Sequence, residues 1–193
     1  MGHIFFIMWI SWAWKGTLLK WLKDSDFDFY IPLSYKTREI RNTEKNGVDA
    51  HFISVEEFKK SIENHEFLEY AIVHGIEYYW TKYEDVIDNW IKKWKIVIKE
   101  LDIHWLKRLK KEKTELNKDY TTIFLNIPVE LLKSRIEKRW DNISKDELER
   151  RISSALTEEK EARLYCDFML DATQSPEDVK KEVLQIIKSK LNK

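Results

Sequence analysis

The chain has 193 residues, and its 34 Lys and Arg are balanced by 34 Asp and Glu, so no global positive field draws it to nucleic acid or to an anionic membrane, and neither partner is expected. A single cysteine, Cys166, excludes an internal disulfide framework and fits a reducing cytosol. No apolar run approaches the roughly 18 residues of a spanning helix, and the stretch from Ile4 to Trp14 has neither a positive leader nor a small-residue cleavage site; the expectation is a cytoplasmic protein of one domain, with its oligomeric state left open.

Ile4-Phe5-Phe6-Ile7-Met8 has the length and composition of a buried strand. A helix is expected to start over 17–23, with a short strand over 30–33. The spacing of Phe58 and Ile62 predicts a helix over 55–64. A second helix is expected over 83–92, a strand over 95–101 and another over 120–127. Pro128 then sits where the first turn of a helix tolerates proline. Ser144 and Glu147 have the spacing of a capping box for a long helix to about Leu164. A short strand over 168–170 and a last helix opened by Ser175 and Pro176, with Val179, Val183, Ile186 and Ile187 on its apolar face, complete the chain. Alternating strands and helices of this kind argue for an α/β fold with a mainly parallel sheet. The lysine-rich stretch over 107–118 reads as a solvated helix face and loop.

Chemistry concentrates after the first strand. Met8-Trp9-Ile10-Ser11-Trp12-Ala13-Trp14-Lys15-Gly16-Thr17 has the outline of a phosphate-binding loop, in which backbone N–H groups and a lysine surround an anion at a helix start. Lys15 and Thr17 fit that pattern. Trp9, Trp12 and Trp14 do not, because glycine is needed where φ is positive or phosphate oxygens approach the backbone, and an indole of roughly 150–250 Å² does not fit that gap. The chain as written is therefore expected to bind nucleotide phosphate badly. Composition carries the same anomaly, with 9 Trp and 4 Gly; at average usage a chain of this length holds about 13 glycines, which the two counts together supply. The expectation is that tryptophan stands at glycine positions, for instance through a codon read as glycine in the source organism. The competing reading is a chain that is simply rich in tryptophan.

Ser34-Tyr35-Lys36-Thr37-Arg38-Glu39-Ile40-Arg41, followed by Glu44, Asn46-Gly47-Val48-Asp49, Phe52-Ile53-Ser54, Glu57-Phe58 and Glu66-Phe67-Leu68-Glu69-Tyr70, resembles guanylate kinase. The likeness continues through His74-Gly75, Tyr78-Tyr79-Trp80-Thr81, Leu101-Asp102-Ile103-His104-Trp105 and Ser134-Arg135-Ile136-Glu137-Lys138-Arg139-Trp140, in order and over nearly the whole chain. Against that pattern Trp9, Trp12, Trp14, Trp80, Trp94, Trp105 and Trp140 fall where the family has glycine, while Trp21 and Trp90 fall at open positions.

The resemblance implies a P-loop three-layer α/β fold with a mainly parallel sheet, an inserted GMP-binding subdomain over about 34–81 and a helical lid over about 135–164, on a core of 1–33, 82–134 and 165–193. It implies transfer of the γ-phosphoryl group of ATP to GMP, giving ADP and GDP, with Mg²⁺ accompanying ATP. Trp9, Ile10, Ser11, Trp12, Ala13, Trp14, Lys15, Gly16 and Thr17 would surround the ATP phosphates, and Lys15 would bridge them. No direct metal ligand is assigned, since Gly16 stands where many such loops carry a hydroxyl. Arg38 and Arg41 would clamp the GMP phosphate with Tyr79, and Ser34, Glu69, Thr81 and Asp102 would read the guanine edge. Arg135, Arg139 and Arg151 correspond to lid arginines, although they stand among Glu137, Glu147 and Glu149 and surface ion pairs compete for them.

The chain departs from the family at Ala50, where a second phosphate-binding tyrosine is usual, at Glu100 and Asp171, and by one extra residue between Gly75 and Tyr78, which leaves Tyr79 assigned to within one position. A second reading, from another class, is a catalytically dead guanylate-kinase-like module that binds a protein partner. An adenylate-type kinase is a weaker third, disfavoured by the pairing of Ser34 with Glu69.

Overall fold

The computed structural model describes residues 2–10, 18–19, 21–22, 25, 27–73, 77–87, 96–111, 120–139 and 143–191, with the side chains of 69–73, 77, 135 and 137–139 outside that description. In chain order the first elements are β1 (His3–Trp9), β2 (Phe29–Tyr30), β3 (Tyr35–Lys36), β4 (His51–Phe52) and α1 (Val55–Glu63). Next come β5 (Phe67–Val73), β6 (Glu77–Lys82), α2 (Tyr83–Ile87), β7 (Ile96–Glu100) and α3 (Ile103–Lys111). The chain continues through β8 (Tyr120–Asn126), α4 (Val129–Arg139), α5 (Lys145–Tyr165), β9 (Phe168–Asp171) and α6 (Pro176–Leu191). Two compact units result, one of residues 1–2 and 30–97, the other of residues 3–29 and 98–193.

The second unit is built on β1. Ile4, Phe5, Phe6, Ile7 and Met8 are each at most 1% exposed, the uninterrupted apolar run of a strand covered on both faces. β8 lies parallel to it, from Ile4 opposite Tyr120 to Trp9 opposite Leu125. β9 lies parallel to β8, and the sheet order is β2-β7-β1-β8-β9. The α/β class with a mainly parallel central sheet is therefore as the sequence implies. Asp167 secures the start of β9: its Oδ2 accepts from the Thr122 backbone N–H at 2.8 Å and from the Thr122 hydroxyl at 2.7 Å, while its own N–H donates to Thr122 Oγ1 at 2.8 Å. In α6, Val179, Val183, Ile186 and Ile187 are buried as their spacing predicts.

Several local expectations shift. The strand expected over 30–33 is confined to Phe29–Tyr30. Of the helix expected over 83–92, Tyr83–Ile87 is described and helical, and 88–92 lies outside the described residues. Ser144 does cap α5, accepting from the Glu147 N–H at 3.2 Å. The reciprocal half of the box is missing, because the Glu147 carboxylate is taken by Arg150 at 2.8 Å and Arg151 at 2.6 Å. Ser54 and Glu57, at the start of α1, form the complete box instead. Lys107 is not simply solvated, since its ammonium binds Glu161 across to α5 while Leu106 and Leu109 are buried beside it; 112–118 lies outside the described residues. No helix among the described residues is long and apolar enough to cross a membrane.

The first unit is a four-stranded sheet in the order β4-β3-β6-β5, with α1 on one face. β3 pairs parallel to β4 and antiparallel to β6, and β5 pairs antiparallel to β6 with a register shift between Phe67 and Glu69. Phe58 of α1 stacks on Tyr78 at 4.3 Å and on Phe67 at 5.3 Å, and meets Trp80 at 4.7 Å. Trp80 also stacks on Tyr35 at 5.4 Å. Asp85 of α2 accepts from the Tyr35 hydroxyl, and burial followed by that carboxylate pushes the phenol up to about 12. Trp80 is fully buried, and its Nε1 has no hydrogen-bond partner among the described residues.

Candidate functional site

Strand alternation divides the first unit's sheet into two chemically different faces. Tyr35, His51, Tyr78 and Trp80 belong to aromatic contacts, those of Tyr78 and Trp80 reaching α1. Lys36 and Tyr79, directly opposite one another in the β3 and β6 ladder, point the other way. Lys36 Nζ lies 5.7 Å from the Phe52 ring centroid and 5.8 Å from that of Tyr79, and Arg38 Cζ lies 5.3 Å from the Phe52 ring. A basic, aromatic-backed face results.

The loop from β3 to β4 is organised by its own polar residues. Gly47 has φ of +75°, a conformation that favours glycine, and its N–H donates to the Ala50 carbonyl at 2.8 Å. Asn46 Oδ1 accepts from the Phe52 N–H at 2.9 Å, and Asp49 Oδ2 accepts from the Lys45 N–H at 2.8 Å. Before Gly47, the Glu44 N–H donates to the Arg41 carbonyl at 2.9 Å, in a turn that brings Glu44 back to Arg38. Glu44 Oε2 accepts from Arg38 Nη1 at 2.7 Å and Oε1 from Nη2 at 2.5 Å, while Oε2 also accepts from the Arg41 N–H at 3.0 Å.

Arg38 is thus a hub. Its Nε donates to the Tyr79 hydroxyl at 3.0 Å and its Nη1 also to the Glu39 carbonyl at 2.8 Å. Only 8% of its side chain is exposed. The fork that the sequence reading reserves for a phosphate is engaged by Glu44, a bidentate pairing that planar guanidinium geometry favours. The Arg38 hydrogen bonds, more than the opposing cost of burial, hold the Glu44 carboxyl down at about 2. The bond to Arg38 also settles which tyrosine shares its face: it is Tyr79, with Tyr78 stacked beneath on Phe58.

A carboxylate with a depressed pKa stabilises the fold at pH above its unfolded value, and that contribution fades as pH falls toward its folded value. For Glu44 the window runs from about 4.5 down to about 2. The difference in melting temperature between the parent chain and Glu44→Gln is therefore expected to be constant above about pH 4.5 and to shrink toward zero near pH 2. Thermal unfolding followed by circular dichroism across that range checks it; a difference that grows on acidification contradicts it.

The remaining expected residues divide between the units. Arg41 is exposed, and its guanidinium has no hydrogen-bond or ion-pair partner among the described residues. The Ser34 carbonyl accepts from the His51 N–H at 2.9 Å. Thr81 is fully buried and stands opposite Glu69 in the β5 and β6 ladder; the Glu69 side chain is outside the described set. Asp102 belongs to the second unit, where its Oδ1 accepts from the His104 N–H at 2.7 Å and caps α3. Arg151, also in that unit, donates to Glu147 at 2.6 Å, the intrahelical ion pair that the sequence offers as a competitor. Arg135 and Arg139 lie on α4 with side chains outside the described set. Of the phosphate-loop residues, Trp9 ends β1 and Ile10 N–H donates to the Leu125 carbonyl at 3.2 Å; Ser11, Trp12, Ala13, Trp14, Lys15, Gly16 and Thr17 lie outside the described residues. Among the described residues no group of three or more His, Cys, Asp or Glu is placed to hold a metal ion.

Sequence reasoning assigns no role to Glu44 or Lys36. Glu44 stands six residues beyond Arg38 without periodic relation to it, and the two meet across a turn in which the Glu44 N–H donates to the Arg41 carbonyl at 2.9 Å.

The family model described as guanylate kinase matches residues 14–190. A curated guanylate kinase from Sulfurimonas denitrificans is 38% identical over 173 residues, 88% of this chain and 79% of the relative. One from Prochlorococcus marinus is 37% identical over 178 residues, covering 91% of each chain. The crystal structure of guanylate kinase from Anaplasma phagocytophilum shares the fold, with a TM-score of 0.73 at 20% identity over 97% of this chain and 85% of that one.

Proposed function

The chain belongs to the guanylate kinase family, and from that premise we propose that it transfers the γ-phosphoryl group of ATP to GMP in the cytoplasm, yielding ADP and GDP. The observation that carries the acceptor half is the basic face on which Arg38 donates to the Tyr79 hydroxyl at 3.0 Å, with the Arg41 guanidinium, which has no partner among the described residues, on the loop that follows. A phosphate monoester carries about −1.5 to −2 charges near neutral pH, and cations beside a phenolic donor match it. In this reading residues 34–81 bind GMP, with Arg38, Arg41 and Tyr79 on its phosphate. Guanine offers donors at N1 and N2 and an acceptor at O6. Glu69 would accept from the donors, and Ser34 and Thr81 would donate to the acceptor, with Asp102 a further candidate.

Phosphoryl transfer asks the protein mainly for positioning and charge stabilisation. Lys15 and the backbone of residues 9–17 would hold the ATP phosphates. Arg135, Arg139 and Arg151, in a lid over 135–164, would close on the transferring group and exclude water. Closure then requires Arg151 to exchange Glu147 for phosphate oxygen. Mg²⁺ would enter with ATP as part of the substrate and would neutralise phosphate charge there, Thr17 being the residue of the loop whose hydroxyl could help to hold it. The core comprises 1–33, 82–134 and 165–193.

The same reading takes the tryptophans as standing for glycine and the chain as written as impaired. The volume of an indole beside a phosphate supports it, as does the buried Nε1 of Trp80, which has no hydrogen-bond partner among the described residues. Backbone conformation is neutral outside the loop, because His65 is the only non-glycine residue with positive φ among the described residues. Trp105 in particular lies in the first turn of α3, its N–H donating to the Asp102 carbonyl at 3.1 Å.

The test is ADP formation from ATP and GMP by two proteins side by side, the chain as written and a chain with glycine at all nine tryptophan positions. Turnover by the glycine chain alone is the expected result. A folded glycine chain that leaves GMP unchanged makes the protein-interaction module the better reading.

A further inference from the structure

One carboxylate arranges both arginines of the basic face. Glu44 holds Arg38 by its side chain, Oε1 accepting from Nη2 at 2.5 Å and Oε2 from Nη1 at 2.7 Å. It holds Arg41 by the backbone, and from both sides: Oε2 accepts from the Arg41 N–H at 3.0 Å, while the Glu44 N–H donates to the Arg41 carbonyl at 2.9 Å. Lys36 Nζ stands 3.6 Å from Oε1. The two guanidinium groups are left in different states. A guanidinium has five N–H donors; those of Arg38 go to the Tyr79 hydroxyl, to the Glu39 carbonyl and twice to Glu44, which leaves one, on Nη2. Its plane is therefore fixed before any ligand binds, whereas Arg41 is exposed and only its backbone is tied down.

By charge alone, an acid in this place is a defect. The Glu44 carboxyl is held down at about 2, so it is ionised wherever a phosphate monoester is a dianion, and it repels that ligand. What it supplies is geometry: rotamer freedom that each arginine would otherwise lose on binding is given up in advance. We propose that Glu44 is a positioning residue of the acceptor phosphate subsite, fixing the plane of Arg38 and the backbone of Arg41 and staying on Arg38 when GMP is bound. The phosphate then receives the remaining Nη2 N–H of Arg38 and the fork of Arg41. The inference rests on the reading of this face as the phosphate subsite of the acceptor.

Calorimetric titration of the full chain with GMP and, separately, with guanosine tests it, because guanosine lacks only the phosphate. Binding to this unit needs no ATP loop, so the chain as written serves. Glu44→Gln keeps the size of the side chain but offers one oxygen for three N–H donors. It is expected to weaken GMP about tenfold while leaving guanosine affinity unchanged. Electrostatics alone predicts the opposite sign, since the variant removes a negative charge beside a dianion. Glu44→Asp, which keeps both oxygens on a shorter arm, is expected to recover part of the loss. Guanosine binding also reports that each variant is folded; if Glu44→Gln fails to bind guanosine, Glu44→Asp carries the test, its GMP affinity expected about threefold below that of the parent. A ratio of GMP to guanosine affinity that is unchanged or raised in the Glu44 variants, with the ratio reduced in Arg41→Met, overturns the role of Glu44 and leaves the subsite reading standing. A parent chain that binds GMP no tighter than guanosine, or whose preference for GMP survives Arg41→Met undiminished, overturns the subsite reading and the role of Glu44 with it.

Discussion

Glycine at Trp9, Trp12 and Trp14 alone, with the other six tryptophans kept, is expected to raise ADP formation from ATP and GMP about a hundredfold or more over the chain as written. The magnitude follows from position, since a displacement of about 1 Å in a reacting group costs about that factor, and an indole at the phosphate displaces it further. Trp9 ends β1 half-buried, opposite Leu125 of β8, so its replacement acts where the strand hands over to the loop. The other six positions act differently. Trp80 is packed among Phe58, Phe67 and Tyr35, on the face turned away from Lys36 and Tyr79, so glycine there changes stability before it changes chemistry. A coupled assay of the triple variant against the chain as written decides the point. No gain from three glycines, with full activity from nine, moves the defect out of the loop. The intact mass of the protein from its native source is an independent check, because nine residues read as glycine leave it lighter by nine tryptophan-to-glycine differences.

Arg38→Met and Arg41→Met are expected to weaken GMP binding alike, each by about a hundredfold, and to part company in stability. Arg38 is the partner of Glu44 and of Tyr79. Its removal leaves a largely covered carboxylate without its fork, at a cost of about 1–3 kcal/mol. Arg41 is exposed and its guanidinium holds nothing in the described structure, so its loss is expected to change stability by no more than about 0.5 kcal/mol. Urea unfolding beside GMP titration reads both quantities. Equal destabilisation by the two variants refutes the division of labour, and Arg38→Lys is not a rescue, because an ammonium cannot reproduce the bidentate pair.

Legibility followed the range of the interactions. β1 and α6 were readable because one long apolar pattern decides each: Ile4 to Met8 are buried without a break, and Val179, Val183, Ile186 and Ile187 return at helical spacing. β3 and β4 were not, since two residues each carry no period and are held by pairing with β6 and with one another. Glu147 shows why a local motif fails: the spacing for a capping box is present, and Arg150 and Arg151 outbid the Ser144 N–H for the same carboxylate. At the basic face, Arg38, Arg41 and Tyr79 were identifiable through the resemblance. That the Arg38 fork is already occupied was not, because Glu44 reaches it across an irregular turn, its N–H on the Arg41 carbonyl at 2.9 Å, that carries no periodic signal. Asp102, which the resemblance assigns to the guanine edge, also caps α3, a local role that its sequence neighbours do not signal.

The neighbours of β1 in the sheet, β7 and β8, both come later in the chain, and the bond from His3 Nε2 to Thr121 Oγ1 spans 118 residues. At roughly 5–20 residues per second of ribosomal elongation, the first strand waits on the order of 6–24 s for that partner. The four-stranded sheet of the first unit closes within residues 35–82 and has everything it needs in the meantime. Ile4-Phe5-Phe6-Ile7-Met8, apolar and uncharged with no proline or glycine to interrupt it, is the kind of segment that pairs with copies of itself when left uncovered. The parallel pairing that later shields this strand on both edges thus places its aggregation hazard in synthesis and not in the folded state.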